Sequence, residues 1–313
     1  MPESHPDIET GIVMRSVGSS YDVRLPDGRA LTCTLRGRLR LEENKATNPV
    51  AVGDHVRVDL QGESPVIADV LPRSNHLIRK AVKKSARYQV LAANIDQAIC
   101  VACIDLPFTP LGYIDRFLVM AEAYHIPAVL VFNKVDLLAK DKHLQKLVAF
   151  AELYRQLGYR VEVLSALEAD FRQHVVALLK DKVSFLVGLS GAGKSSLVNL
   201  ADPGLNLRTG SISLHSGKGR HTTTFAEMHP LSFGGYVIDA PGFKEFDLVD
   251  IARAEVSHYF PEMRQLLPLC KYHNCTHTYE PGCAVKDALA MGEIAESRFN
   301  TYLNMLEAME KPY

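Results

Sequence analysis

Gly188-Leu189-Ser190-Gly191-Ala192-Gly193-Lys194-Ser195 fits the pattern GxxxxGK[S/T], and its flanks decide how to read it. An apolar run, Val183–Val187, precedes it, and Ser195–Leu200 reads as the opening of a helix. A strand, a glycine-rich loop and a helix in that order are the context a phosphate-binding loop requires. Glycines let successive backbone N–H groups curl around an anion without a Cβ clash, and the helix N-terminus adds partial positive charge. Lys194 is then expected to neutralise the β and γ phosphates, and the Ser195 hydroxyl to ligate Mg²⁺. Gly188, Ser190, Gly191, Ala192, Gly193 and Ser196 would complete the cradle.

Outward from this loop the chain alternates strand and helix signals. Apolar runs at 98–104, 128–132, 161–164, 183–187 and 236–238 read as buried strands, with helical stretches at 113–124, 141–157 and 168–179 between them. Strands separated by helices imply a mostly parallel, doubly wound α/β sheet. Downstream, Asp239-Ala240-Pro241-Gly242 closes a strand about 45 residues after the loop. Its Asp can hold the Mg²⁺ shell and the Gly242 N–H can meet a γ-phosphate. The segment between, 203–226, holds no acidic residue and is rich in Gly, Ser and Thr, as suits a loop that orders around an anion. Its end, His221-Thr222-Thr223-Thr224, offers hydroxyls, and Thr223 is the choice for completing the Mg²⁺ coordination.

The base is read elsewhere. Asn133-Lys134-Val135-Asp136 closes the run 128–132. A carboxylate at Asp136 can accept bonds from guanine N1–H and the N2 amine, whereas adenine would leave it unpaired, a discrimination of several kcal/mol. Asn133 can tie neighbouring loops, the Lys134 stem can lie on the purine, and Ser165-Ala166 fits the companion motif that meets guanine O6. Ligands gather at the carboxyl ends of parallel strands, where these motifs lie. The base motifs precede the phosphate motifs, the reverse of ordinary small GTPases, so the order is circularly permuted. Close-lying surface termini make such a permutation feasible.

In Ras-like sites a water-orienting Gln follows the DxxG motif. Here that residue is Phe243, whose ring cannot orient water by hydrogen bonding. Slow intrinsic turnover is expected, with His221 the internal candidate for the missing group. A P-loop kinase or ATPase, and a GTP-gated RNA-binding zinc protein with negligible catalysis, are the alternatives.

Residues 8–72 read as short strands broken by turns, and a small barrel is their natural closure. Arg36, Arg38 and Arg40 recur at period two, and 73–87 holds six Lys or Arg with no acid, as a linker or exposed basic element would. Near the C-terminus Cys270-x4-Cys275-x-His277-x5-Cys283 offers three sulfurs and an imidazole, a set that suits structural zinc, with His273 competing. Cys33, Cys100 and Cys103 read as core. A net charge of -1 over 313 residues argues against coating nucleic acid along the whole surface, so RNA contact must come from local basic patches. No secretory pattern opens the chain and no apolar run approaches ~18 residues, so a cytoplasmic protein without membrane association is expected.

GLSGAGKSS, GRHTTT, DAPGF, NKVD and the Cys/His knuckle, in this arrangement behind a β-rich start, closely resemble the RsgA (YjeQ/EngC) family of ribosome small-subunit-dependent GTPases. The resemblance implies a multidomain chain: an OB-fold barrel over 1–72, a basic linker over 73–90, a permuted GTPase domain over 91–246 and a zinc-binding, mainly helical domain over 247–313. It implies one structural zinc, Mg²⁺ with GTP or GDP, and a monomer acting late in small-subunit maturation. Contact with ribosomal RNA, with turnover stimulated by the subunit, is implied as well. An OB-fold makes Arg36, Arg38, Arg40 and the 73–87 stretch candidates for RNA contact.

Overall fold

The computed structural model describes residues 8–37, 47–80, 88–207, 226–239, 249 and 251–310. Gly242, Phe243, His221, Thr222, Thr223, Thr224, Arg38 and Arg40 therefore lie outside the described residues. The chain runs through β1 (Ile8–Val17), β2 (Ser20–Arg24), β3 (Ala30–Leu35), β4 (His55–Asp59) and β5 (Val66–Val70), then β6 (His76–Lys80), β7 (Tyr88–Ala93) and β8 (Gln97–Ala102). There follow α1 (Leu111–Ala123), β9 (Ala128–Phe132), α2 (Asp141–Gln156), β10 (Arg160–Val163), α3 (Arg172–Leu179), β11 (Val183–Val187) and α4 (Lys194–Ala201). The remainder is β12 (Glu227–Pro230), β13 (Tyr236–Asp239), a 3₁₀ segment at Arg253–Tyr259, α5 (Pro261–Arg264), α6 (Ala284–Ala290) and α7 (Glu296–Glu310). Two compact units share these elements: 1–98, 166–187 and 194–249 in one, and 99–165, 188–193 and 250–313 in the other.

In the first unit β1 pairs with both β2 and β4, β2 with β3, β3 with β5, and β5 with β4, which closes a five-stranded barrel of the expected OB type. Alternate residues point inward, so Val13, Val23, Cys33, Val56, Val58 and Ile67 fill it. The strand leading to Arg36 ends at Leu35, one residue earlier, and Arg36 pairs with Asp59 at the surface. The 73–90 stretch is not bare linker. His76–Lys80 forms β6, antiparallel to β7, and buries Leu77 and Ile78. Asp54, fully buried, receives Arg73 at 2.6 Å and caps the Ala51 N–H, tying the turn before β4 to the chain that leads into β6. The same unit holds β11 parallel to β13, with β12 antiparallel to β13.

In the second unit β9 and β10 are parallel, as their crossover helix α2 requires. Helix α1 is apolar on most of its circumference and buries Ile114, Phe117, Leu118, Val119 and Met120. It also buries Asp115. That carboxylate accepts bonds from Tyr154 OH at 2.8 Å, Thr301 Oγ1 at 2.9 Å and the Arg298 guanidinium at 3.1 Å. Arg298, itself wholly buried, forks onto Glu262 at 2.6 and 3.0 Å. Burial opposes its charge, but Glu262 and Asp115 outweigh that and hold the guanidinium firmly protonated. This network pins α7 to α1. Among the described residues after 249 there is no strand, and no helix is long and apolar enough to cross a membrane.

Candidate functional site

The P-loop leaves β11 and enters α4 through backbone that only glycine tolerates. At Gly188 a Cβ would lie 2.4 Å from the Val101 carbonyl oxygen. At Gly193, where φ is +99°, it would lie 2.2 Å from Asn133 Nδ2. The close approach at Gly193 makes room for one specific bond, since Asn133 Nδ2 donates to Ala192 O at 2.9 Å. Cys103 Sγ donates to the same oxygen at 3.4 Å. So the first residue of the NKxD motif buttresses the phosphate loop directly, from a position 3% exposed.

The rest of that motif turns toward the surface. Lys134 takes a left-handed conformation, φ 64°, and opens a short 3₁₀ turn, while its ammonium group donates to Leu106 O at 2.9 Å. That bond holds the lysine stem in place. Asp136 is exposed, and the buried Ser165 hydroxyl donates to its Oδ1 at 2.5 Å. The Ser165-Ala166 dipeptide, uninformative alone, thus orients the carboxylate expected to read a base, 29 residues away in sequence.

On the phosphate side, Lys194 opens α4 and Asp239 ends β13. Burial raises the Asp239 carboxyl above its ordinary range, and the charges of Lys194 and His229 pull it back down. Helix α1 adds Tyr113, whose hydroxyl lies at the Gly188 backbone and is pushed up by burial.

Far along the chain, Cys270, Cys275, His277 and Cys283 bring their ligand atoms within 4.8 Å of one another. His277 Nδ1 lies 3.3 Å from Cys283 Sγ and 3.7 Å from Cys270 Sγ. Tetrahedral zinc with bonds of about 2.3 Å to sulfur and 2.0–2.1 Å to nitrogen separates S from N by about 3.5 Å, so the residues fit such an ion. Burial first, then the neighbouring Cys283 and Cys270 sulfurs, push the Cys275 thiol up to about 12 despite the His277 N–H, so stable thiolates here call for a cation. His273 is exposed and stands outside the cluster. Cys33, Cys100 and Cys103 are buried core, as expected.

A phosphate loop buttressed by an NKxD motif that precedes it in the chain defines a GTPase with circularly permuted motifs. The sequence pattern of the RsgA GTPase matches residues 70–249, and that of the RsgA N-terminal domain matches 10–65. The small ribosomal subunit biogenesis GTPase RsgA of Phocaeicola vulgatus is 44% identical over 96% of this chain and 97% of its own. That of Flavobacterium psychrophilum is 42% identical over 97% and 94%. The crystal structure of YjeQ from Thermotoga maritima covers 97% of this chain and 100% of its own at 36% identity, with a TM-score of 0.78. YloQ, described as a circularly permuted GTPase, covers 100% and 99% at 27% identity, TM-score 0.74. The chain belongs to the RsgA GTPase family.

Proposed function

We propose that this GTPase serves late maturation of the small ribosomal subunit, binding the subunit's RNA and using its nucleotide state to control association and release of assembly factors. The observation that carries the nucleotide chemistry is the Asn133–Ala192 bond, which ties a base-reading loop to a phosphate loop. In this reading Asp136, held by Ser165, accepts from guanine N1–H and N2. The backbone N–H groups of 188–193 with Ser195 and Ser196 hold the β-phosphate, and Lys194 balances charge developing on the γ-phosphate. Asp239 and the Ser195 hydroxyl hold Mg²⁺ with Thr223, and Gly242 senses the γ-phosphate. Mg²⁺ supplies further neutralisation of the phosphate oxygens when bound.

With Phe243 in place of a water-orienting amide, the chain hydrolyses GTP slowly alone and faster on the subunit, with His221 as the internal group that meets the water. Cys270, Cys275, His277 and Cys283 hold one structural zinc. The protein works as a cytoplasmic monomer, with Arg36, Arg38, Arg40 and the 73–87 stretch touching ribosomal RNA. Relatives named for small-subunit biogenesis, matched over nearly their whole length, support this reading. The test is phosphate release with and without purified small subunits. Subunits that leave the rate unchanged would refute it.

A further inference from the structure

Just beyond the carboxyl ends of β8 and β9, two side chains converge on one backbone oxygen of the phosphate loop. Ala192 O accepts from Asn133 Nδ2 at 2.9 Å and from Cys103 Sγ at 3.4 Å. Both donors are buried, and Ala192 is fully so. The thiol does not reach that oxygen by loose packing. The Cys103 N–H donates to Thr109 Oγ1 at 3.0 Å, and its carbonyl receives the Thr109 N–H at 2.9 Å, so its backbone is clasped on both sides. One residue earlier, Ala102 O accepts the Asn133 N–H at 2.8 Å, which ties the chain at one donor to the chain at the other.

The peptide that carries this oxygen also carries the Gly193 N–H. The Ala192–Gly193 bond is trans, so its C=O and N–H point in opposite directions across one plane. A carbonyl held against the interior therefore turns the Gly193 N–H the other way, to the side on which a phosphate loop receives its anion. Glycine itself does not fix that orientation. It tolerates both signs of φ, and Gly193 stands at +99°, so the plane can rotate as a unit unless its oxygen is held. Hydrogen bonds to a carbonyl also polarise the amide and strengthen its N–H as a donor.

We propose that Cys103 is a positioning residue for nucleotide binding: its thiol acts with the Asn133 amide to turn the Ala192–Gly193 peptide, aiming the Gly193 N–H at the β-phosphate. This rests on the phosphate-loop reading above and adds to it a residue that belongs to none of the nucleotide motifs. A thiol is a weak donor, so its share is smaller than that of Asn133. Its effect falls on nucleotides that carry a β-phosphate.

The test displaces a fluorescent GDP analogue from the full-length, zinc-loaded protein with GDP or with GMP, which lacks a β-phosphate. Cys103→Ala is expected to weaken GDP roughly three- to tenfold, the range of one net hydrogen bond, and GMP by less than about twofold. Cys103→Ser, whose hydroxyl sits on a shorter bond, should fall between the parent and Cys103→Ala, and it carries the same comparison if the alanine variant does not fold. Cys33→Ala removes a buried thiol from the barrel and should leave the ratio of GDP to GMP affinity unchanged. A thiol at position 103 that merely filled space would lower both affinities alike. The second readout is the S–H stretch of Cys103 in the infrared, assigned by its loss in either variant. GDP should move that band to lower frequency, because phosphate charge polarises the peptide and makes Ala192 O a stronger acceptor. Equal losses for GDP and GMP, a Cys103→Ala penalty on GDP under about twofold, or a band that GDP leaves unmoved would overturn the proposal. A parent that binds GDP no more tightly than GMP would instead defeat the phosphate-loop reading, whatever the variants do.

Discussion

Gly193→Ala tests whether the phosphate loop and the base-reading loop form one site. The added methyl would lie 2.2 Å from Asn133 Nδ2, on backbone with φ +99°. Holding a non-glycine residue in such a conformation costs on the order of 1–3 kcal/mol. Displacing Asn133 also breaks its 2.9 Å bond to Ala192 O and orphans a buried donor, for about 1–3 kcal/mol more. Without nucleotide the variant loop can relax away from both penalties, so they appear as a reduced fraction of binding-competent protein. The sum, about 2–6 kcal/mol, corresponds to at least roughly thirtyfold weaker GDP binding. A fluorescent GDP analogue titrated into parent, Gly193→Ala, Asn133→Ala and the double variant measures it. In the Asn133→Ala background the clash is gone and only the backbone cost remains, so the Gly193→Ala penalty should shrink by about 1–3 kcal/mol. Binding of Gly193→Ala within threefold of the parent, or strict additivity in the cycle, would refute the idea that these two loops share one geometry.

Asp136→Ala should weaken GTP by several kcal/mol while leaving weak ATP binding nearly unchanged, because adenine never used the carboxylate; competition titrations check this, and equal losses for both nucleotides would remove Asp136 from base reading. Asp115→Asn should destabilise the fold by about 3 kcal/mol, the lower part of the range for breaking a buried pair, since Arg298 keeps Glu262; denaturant unfolding of the nucleotide-free protein measures it, and a loss under about 1 kcal/mol would contradict the network. Cys270→Ser should lower bound zinc well below one per chain by elemental analysis, and undiminished zinc would exclude that ligand.

The parts of this molecule visible in its sequence are those where chemistry demands particular residues at fixed spacing. The P-loop, NKxD and the Cys/His knuckle each need their residue types at fixed local spacing, and the four knuckle residues do bring their ligand atoms together. Buried runs such as 128–132 and 183–187 matched β9 and β11 because a strand covered on both faces is apolar throughout. β6 escaped notice for a physical reason. A register shift between Leu77 and Ile78 turns two successive residues inward, which destroys the alternation by which strands are recognised, and the flanking lysines and arginines then read as linker. Long-range partnerships were equally invisible. Nothing in the spacing couples Ser165 to Asp136, and an arginine on an amphipathic helix reads as surface, whereas Arg298 is fully buried. Cys103 was legible as core but not as a donor to the phosphate loop.

The buried network also bears on how the metal loop relates to the nucleotide. Tyr302, on α7, donates to Thr276 O between two metal ligands, and the same helix carries Arg298 and Thr301, which grip Asp115 on α1. Two residues before Asp115, Tyr113 lies at the Gly188 backbone. All of these belong to one compact unit, so strain at the metal loop has a continuous packed route to the phosphate loop. Couplings of this kind amount to about 1–3 kcal/mol and are reciprocal for binding. Chelation should therefore weaken GDP binding by roughly fivefold or more, and GDP should in turn slow zinc transfer to a chromogenic chelator. Tyr302→Phe removes the hydroxyl that holds Thr276 yet keeps the ring packed on Phe260 and Phe299, so both effects should diminish together. Zinc release that proceeds at one rate with and without GDP would show the two sites to be energetically independent, whatever their structural connection.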